Sequence, residues 1–230
     1  MREVVLDTET TGLDPRDGHR VVEIGCVELV NHVATGEVFH VYINPERDMP
    51  AEAFEIHGLS DAFLADKPKF GDIARPFLDF VEGATLVIHN AAFDMKFLNA
   101  ELTHTDLDRI SHDQVLDTLD IARRKHPTAS NSLDALCRRY GVDNSGRTKH
   151  GALLDSELLA EVYLELIGGR QPNLVLVGSE QETDAKGVLA AKPVPPRPQP
   201  LASRLTAEEE RGHRELVDEI GETAIWHRYI

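Results

Sequence analysis

The apolar residues of this chain recur with two different spacings. Five short segments are apolar throughout or alternate polar with apolar residues, which is the pattern of strands. They lie at residues 3–7, 21–30, 37–43, 85–88 and 115–117. Because the first three follow one another with only short turns between them, they predict an antiparallel meander.

Helical spacing of the apolar residues dominates after residue 70. The segments with this spacing lie at residues 73–81, 91–102, 118–125, 131–140 and 152–167. Gly141 and Gly168 each follow one of these segments and suit a helix C-terminus. Strands that come first and then alternate with helices predict an α/β protein, in which helices pack on the faces of a mixed sheet.

The pattern of a folded domain ends near residue 170, which predicts a domain at residues 1–170. Residues 177–205 are rich in proline and polar residues and have too few apolar side chains to form a core, so they predict a flexible linker. Residues 206–230 regain a helix start at Thr206 and end in an apolar, aromatic stretch around Trp226. We expect this tail to bind a partner, although it could also fold back on the domain.

The composition is that of an ordinary globular protein, with 41% hydrophobic and 28% charged residues among 230. No apolar run is long enough to cross a bilayer, and the chain enters a strand without a signal-peptide pattern, so we expect a cytoplasmic protein. The two cysteines, Cys26 and Cys137, are too few for a disulfide framework or a four-thiolate zinc site. We expect both to be core residues.

The formal net charge of −16 argues against a free-standing nucleic-acid-binding module, because such modules carry a basic surface. It does not argue against a metal-dependent nuclease. Divalent cations can neutralise the acidic side chains of a site and attract phosphate, and a partner protein can deliver the nucleic acid.

Two carboxylates, Asp7 and Glu9, come at the end of the first predicted strand. Residues two apart on a strand point to the same face, so both side chains project together from one edge of the sheet. Neighbouring carboxylates repel each other unless a cation holds them, and oxygen ligands suit magnesium or manganese. By itself the pair is also compatible with an acidic surface turn, because the chain has 40 acidic residues.

Two further acids, Asp94 and Asp155, lie near the starts of predicted helices. Asp94 follows a strand-to-helix junction, where binding sites tend to form, but it could equally be an acid that complements the helix dipole. Asp155 lies among leucines, and a buried carboxylate without a cationic partner is costly. His150 precedes this helix in a loop that contains glycine, although one histidine among 11 is a weak signal by itself.

Three segments taken together resemble the DnaQ-like, DEDDh-type exonuclease superfamily. The segments are Asp7-Thr8-Glu9, His89-Asn90-Ala91-Ala92-Phe93-Asp94 and His150-Gly151-Ala152-Leu153-Leu154-Asp155. The resemblance implies an RNase H-like fold, with a five-stranded mixed sheet flanked by helices. It also implies 3′→5′ hydrolysis of phosphodiester bonds that releases nucleoside monophosphates.

The same resemblance implies roles for individual side chains. Two divalent cations, Mg²⁺ or Mn²⁺, are expected at the four acids Asp7, Glu9, Asp94 and Asp155, and His150 is expected to be the general base. His57 and Phe93 are expected in the substrate pocket, although ordinary packing roles remain open for them. The expected contacts with the terminal nucleotide are Asp7, Glu9, Thr10, Thr11, Gly12, Leu13, His57, Phe93 and Asp155.

Two other stretches narrow the resemblance to the proofreading subunits of bacterial replicative DNA polymerases. They are Ile56-His57-Gly58-Leu59-Ser60-Asp61 and, near the C-terminus, Trp226-His227-Arg228. This likeness implies that the substrate is a single-stranded or frayed DNA 3′ end. It also implies that residues 206–230 bind the polymerase alpha subunit and that a small accessory subunit is a possible further partner.

A shorter motif follows the domain at residues 171–176. A glutamine followed by spaced apolar residues, as in Gln171, Leu174 and Leu176, resembles the peptides that dock on a sliding clamp. Leu176 stands where such peptides often carry an aromatic residue, so weak affinity is expected, and an apolar start to the linker is the alternative.

Two other functions are compatible with these motifs. One is a DEDDh-type exonuclease that acts on RNA 3′ ends or small oligoribonucleotides, against which the linker and aromatic tail argue. The other is a mainly non-catalytic tether between polymerase and clamp, against which the complete set of acids argues.

Overall fold

A computed structural model of the chain describes residues 1–147, 149–169, 205–221 and 225–228. Its strands are β1 (Arg2–Thr10), β2 (Val21–Val30), β3 (Val33–Tyr42), β4 (Thr85–Ile88) and β5 (Val115–Asp117). They form one five-stranded sheet in the order β3-β2-β1-β4-β5. The first three strands are antiparallel neighbours, whereas β4 and β5 run parallel to β1. The predicted meander and the predicted mixed sheet are therefore confirmed.

Among the described residues, helices follow or connect the strands. They are α1 (Ala51–His57), α2 (Asp61–Leu64), α3 (Phe70–Val81), α4 (Ala91–His104), α5 (Thr118–Lys125), α6 (Leu133–Tyr140), α7 (Ala152–Leu166) and α8 (Ala207–Ile220). The first two were missed by the apolar pattern, because helices of seven and four residues are too short to show a helical period. Gly141 ends α6 in the left-handed conformation, as its position predicted.

Some predicted boundaries were wrong by a few residues. The strand β1 continues to Thr10, three residues past the predicted end, and β3 starts four residues early at Val33. A tight turn explains the second error, because Asn31 and His32 both have positive φ and connect β2 to β3 directly. The start of β3 consists largely of polar and small residues, so a pattern of apolar residues could not predict this part of the edge strand.

The two faces of the sheet carry separate apolar clusters. Leu6 packs with Phe77 of α3 and Phe97 of α4 on one face. Val5 points to the opposite face and packs with Leu159 of α7. The strand β1 is therefore covered on both sides, and side chains from both layers of helices can reach its carboxyl end.

By its contacts the chain divides into two units, at residues 1–174 and 175–230. In the described part of the second unit, Thr206 caps α8 and Glu209 completes a capping box, which confirms the predicted helix start. The predicted clamp-binding residues Gln171, Leu174 and Leu176 lie outside the described residues. No helix in the described ranges combines the length and the apolar character that a membrane span needs.

The two cysteines, Cys26 and Cys137, are buried and unpaired, as predicted. Cys26 lies in the cluster beneath α3 and α4, and Cys137 lies in a third cluster between α6 and α7. Burial raises the pKa of both thiols, so both are uncharged at neutral pH.

Candidate active site

The carboxyl end of β1 presents the first two acids. Asp7 and Glu9 follow Val5 at alternate positions, so all three side chains point towards the face that α7 covers. Glu9 is buried, and the pairing of β1 with β2 shifts register immediately after it. The shift is a β-bulge, which ends the regular strand at the site.

Asp94 reaches the same place from the other face of the sheet. The turn into α4 is held by Asp117 at the end of β5, whose carboxylate accepts hydrogen bonds from the backbone N–H groups of Asn90 and Ala91, both at 3.0 Å. One turn into the helix, Asp94 Oδ1 accepts a 2.7 Å hydrogen bond from Thr8 Oγ1. Thr8 therefore connects the third acid directly to β1.

Asp155 is brought to β1 by an unusually close helix–strand contact. Gly25 of β2 pairs with Asp7, and its backbone lies against the first turn of α7. A Cβ atom at Gly25 would be 2.2 Å from the backbone carbon of Ala152. The hydroxyl of Ser156 donates a 2.9 Å hydrogen bond to the carbonyl oxygen of Gly25 and fixes the helix there. The absence of a side chain at Gly25 thus sets how near Asp155 comes to the strand.

The charges of these acids are strongly coupled. Burial, followed by repulsion from Asp94, Glu9 and Asp155, raises the pKa of Asp7 well above its usual value. Burial also raises the pKa of Glu9 to about 8, with repulsion from Asp155 as the next cause. Burial raises the pKa of Asp94 to about 7, although the hydrogen bond from Thr8 opposes the change. Such a cluster is ionised at neutral pH only when a cation compensates it.

The donor atoms fit a divalent cation. One nitrogen of His150 and one carboxylate oxygen each of Glu9 and Asp155 lie within 4.8 Å of one another. Asp155 Oδ1 is buried and accepts no hydrogen bond of regular geometry among the described residues, although the guanidinium of Arg147 lies beside it. Hard oxygen ligands of this kind suit Mg²⁺ or Mn²⁺. Asp7 and Asp94 are outside this compact set but close enough to influence each other's charge.

An arginine that the sequence analysis missed occupies the Asp155 side of the site. Arg147 Nε lies 2.6 Å from Asp155 Oδ1, and Nη2 donates to Oδ2 at 2.6 Å. The same Nη2 is 2.7 Å from His150 Nδ1, and Nη1 donates to Asp134 at 2.7 Å. No motif marked Arg147, because an arginine in a polar loop is usually a solvated surface residue.

His150 is half exposed at the mouth of the site. Its Nδ1 is 3.4 Å from Asp155 Oδ2, and its backbone N–H donates to the carbonyl of Ile56 in α1 at 3.2 Å. Because a guanidinium can only donate, the contact with Arg147 makes Nδ1 the unprotonated nitrogen of a neutral imidazole. The predicted base is therefore next to the acids, with its orientation fixed by two neighbours.

The predicted nucleotide-binding loop follows β1. Thr10 Oγ1 donates to the carbonyl of Gly12 at 2.7 Å, which folds the loop back on itself. Leu13, with 79% of its surface exposed, is held through its carbonyl by Lys96 Nζ at 2.8 Å. The same ammonium lies 5.8 Å from the ring centre of Phe93, so Leu13 and Phe93 both lie next to Lys96.

The remaining predicted contacts are also near this loop. The backbone N–H of Thr11 donates to the carbonyl of Arg20, and its hydroxyl lies 3.1 Å from His19 Nδ1. His57 is buried at the end of α1, and burial, with the charge of Lys149 second, lowers its pKa to about 4. The imidazole is therefore neutral at physiological pH, and Nδ1 accepts a hydrogen bond from the Leu59 backbone N–H, which leaves a proton on Nε2.

Comparison with known proteins places this site in a family. The family model described as "Exonuclease" (RNase_T) matches residues 4–163. The nuclease domain of 3′hExo, described as a DEDDh family member bound to rAMP, has a similar fold. It is 18% identical, the match covers 72% of this chain and 91% of that one, and the TM-score is 0.63.

Two curated relatives are more similar in sequence. The DNA polymerase III subunit epsilon of Rickettsia prowazekii (strain Madrid E) is 51% identical over 96% of this chain and 97% of its own length. The protein of the same name from Escherichia coli (strain K12) is 51% identical over 74% of this chain and 72% of its own length.

The fold is that of an exonuclease, and the chain belongs to that family, whose DEDDh members use divalent metal ions. The RNase H-like fold and the 3′→5′ exonuclease activity predicted from the sequence are thereby confirmed. Within the family, the chain belongs with the epsilon subunits of bacterial DNA polymerase III.

Proposed function

We propose that this chain removes mispaired nucleotides from DNA 3′ ends as the proofreading subunit of a replicative DNA polymerase III. The observation that carries the proposal is the meeting of acids from β1, α4 and α7 at one end of the sheet, beside an exposed leucine and a neutral histidine. This arrangement offers an anionic, metal-binding centre next to an apolar surface that suits a nucleobase. The similarity to epsilon subunits over nearly the whole chain supports the polymerase context.

In this proposal Asp7, Glu9, Asp94 and Asp155 hold two divalent cations, Mg²⁺ or Mn²⁺. When bound, the cations supply stabilisation of the negative charge that develops in phosphodiester hydrolysis. The four carboxylates set the position of that charge, and the burial of three of them keeps bulk water away from it. The raised pKa values of Asp7, Glu9 and Asp94 show the cost of placing these acids together, and the cations offset that cost.

His150 is the proposed general base. Its neutral imidazole accepts the proton of the attacking water at Nδ1, the nitrogen that carries the lone pair in the described tautomer. The side chain is half exposed, which allows a water molecule to approach it. Asp155 Oδ2, at 3.4 Å from Nδ1, stabilises the imidazolium that results.

The terminal nucleotide is proposed to lie against the loop after β1. Leu13 and Phe93 offer apolar contact to the base, Thr10 to Gly12 offer backbone groups to the sugar, and His57 can donate from Nε2. None of these groups forms a base-specific pattern. Selection then depends on fraying, because a mispaired end unpairs at a lower free-energy cost than a paired one.

The proposed assembly with the polymerase uses residues beyond the exonuclease domain at 1–170. Residues 206–230 are proposed to bind the alpha subunit, residues 171–176 to contact the sliding clamp through Gln171, Leu174 and Leu176, and residues 177–205 to be a linker. A small accessory subunit is a further proposed partner. The capped helix α8, which exposes Leu216 and Ile220, supports a binding role for the tail.

The test compares release of nucleotides from a 3′-mismatched DNA primer, a matched primer and an RNA of the same sequence, with Mg²⁺ present. We expect the mismatched DNA to be degraded fastest. The double variant Asp7→Ala/Glu9→Ala should lose activity by at least about 1000-fold, because the metal ligands of β1 are removed. The control is Asp108→Ala, which removes an exposed acid elsewhere on the surface and should leave activity unchanged.

Three outcomes would contradict parts of the proposal. Faster degradation of RNA than of DNA would favour an enzyme of RNA 3′ ends. Unchanged activity in the double variant would show that the acids of β1 are not the catalytic centre. Binding of the purified alpha subunit should persist in the double variant, and its loss there would argue against a separate binding role for the tail.

A further inference from the structure

The guanidinium of Arg147 lies inside the acidic site and pairs with one of its carboxylates. It is 8% exposed and contacts three groups at once, namely Asp155, His150 and Asp134. Both oxygens of Asp155 have an arginine nitrogen at 2.6 Å. A carboxylate of this acidic cluster is thus already fully paired with a positive charge from the chain itself.

The same carboxylate is part of the candidate metal set. An oxygen of Asp155 lies within 4.8 Å of donor atoms from Glu9 and His150. A cation held by the carboxylates of Glu9 and Asp155 would meet the guanidinium at close range, and two positive charges repel strongly where water is excluded. Arg147 and a divalent cation therefore compete for Asp155.

We propose that Arg147 is an internal counter-cation that pairs with Asp155 while the metal site is empty and moves away from it when a divalent cation binds. This inference rests on the proposed metal site of the exonuclease. In the paired state Arg147 also donates to His150 Nδ1, so the lone pair of the base is in use. Metal binding withdraws the guanidinium and releases that lone pair. Arg147 is in this sense a positioning residue for His150, and the base becomes available only in the metal-loaded site.

The surroundings of Arg147 provide a place for the displaced guanidinium. Nη1 already donates to Asp134, whose side chain is 45% exposed and also accepts from Asn144. The side chain can rotate about its stem towards Asp134 and solvent without losing all its partners. Arg147 itself belongs to neither a helix nor a strand, so a small rearrangement there breaks no regular backbone hydrogen bonds.

The experiment measures Mn²⁺ affinity by calorimetry in the full-length chain and in the variant Arg147→Met. Methionine keeps an apolar stem but has no charge to compete for Asp155, so we expect Mn²⁺ to bind about tenfold more tightly or better. The melting temperature in EDTA should fall, because Asp155 loses its partner, and saturating Mn²⁺ should restore most of it. The variant Arg147→Lys retains a positive charge and should bind Mn²⁺ nearly as the wild type does.

The matched control is Arg20→Met. Arg20 also forms a buried pair with a carboxylate, at 2.7 Å from both oxygens of Glu101, but contacts none of the four acids. This control should lower the melting temperature without changing Mn²⁺ affinity. Equal or weaker Mn²⁺ binding by Arg147→Met would overturn the inference.

A measurement on the wild-type chain covers the case in which Arg147→Met does not fold. The Nε–H signal of Arg147 in NMR spectra should change its shift and lose protection from solvent exchange when Mg²⁺ saturates the site. A signal unaffected by Mg²⁺ would show that the guanidinium stays on Asp155 and would overturn the inference. If the wild type binds no divalent cation, the proposed metal site is wrong and the inference about Arg147 is wrong with it. If the cation binds but the Arg147 signal does not change, only the inference about Arg147 is wrong.

Discussion

Replacing Gly25 with alanine should separate α7 from the sheet and disable the site. The added Cβ would lie 2.2 Å from backbone atoms of Ala152 and Leu153, whereas carbon atoms in contact prefer about 3.5 Å or more. Neither neighbour can rotate away, because both belong to the helix backbone. The helix and β2 must therefore move apart by more than about 1 Å.

The size of the effect follows from this displacement. Overpacking in a buried contact costs about 1–3 kcal/mol, which corresponds to a fall in melting temperature of about 3–10 °C for a domain of this size. Asp155 lies on the displaced helix turn, and a misplacement of about 1 Å in a catalytic group reduces the rate by about 100-fold. We therefore expect a folded but nearly inactive variant.

The assay combines thermal unfolding with degradation of a 3′-mismatched primer in saturating Mg²⁺. The control variant is Gly71→Ala in α3, where the new Cβ would meet only Thr105 Cγ2 at an ordinary 3.5 Å. Alanine in a helix should keep or slightly raise the stability there, and activity should not change. A Gly25→Ala protein with wild-type melting temperature and rate would refute the claim that this close contact sets the position of Asp155.

Two further predictions concern the electrostatics of the site. In EDTA the folded-state pKa is raised to about 8 for Glu9 and to about 7 for Asp94. The folded chain therefore holds protons on these two acids that the unfolded chain has lost. Because of this, the contribution of the two acids to the free energy of unfolding should fall as pH rises from about 4.5 to about 8. Melting curves at pH 5 and pH 8 test this, and saturating Mg²⁺ should remove most of the difference; a site that is more stable at pH 8 in EDTA would contradict the assignment. The variant Thr8→Val removes the 2.7 Å hydrogen bond to Asp94 at nearly constant volume. The free energy of unfolding should therefore fall by about 1.5–3 kcal/mol, and kcat should fall more than KM rises. Unchanged kcat would show that Thr8 does not position Asp94.

The acids of this site were predictable from sequence because each stands at a recognisable place in its element. Asp7 and Glu9 end an apolar strand, Asp94 follows a strand-to-helix junction, and Asp155 interrupts a leucine-rich helix. The apolar pattern predicts these strands and helices, and the position of each acid within its element follows from that prediction. The resemblance to a known family then supplied the roles of these residues.

The contacts that position the acids could not be read in the same way. Arg147 pairs with Asp155 across a loop, and nothing in the local sequence distinguishes it from a surface arginine. Thr8 lies between two predicted ligands, but its bond to Asp94 joins residues 86 positions apart. Gly25 is visible in the sequence as a glycine within a strand. The reason that only glycine fits there is the backbone of α7, which is more than a hundred residues away. These are properties of packing between distant segments.

The origin of the acids in three segments has a consequence for the newly made protein. A ribosome that has synthesised β1 and α4 has produced Asp7, Glu9 and Asp94 but has not yet produced α7. The nuclease centre is incomplete until the last of these helices docks on the sheet, so cleavage depends on the finished tertiary structure. A chain truncated before residue 150 therefore lacks both His150 and Asp155, and we expect it to have no nuclease activity.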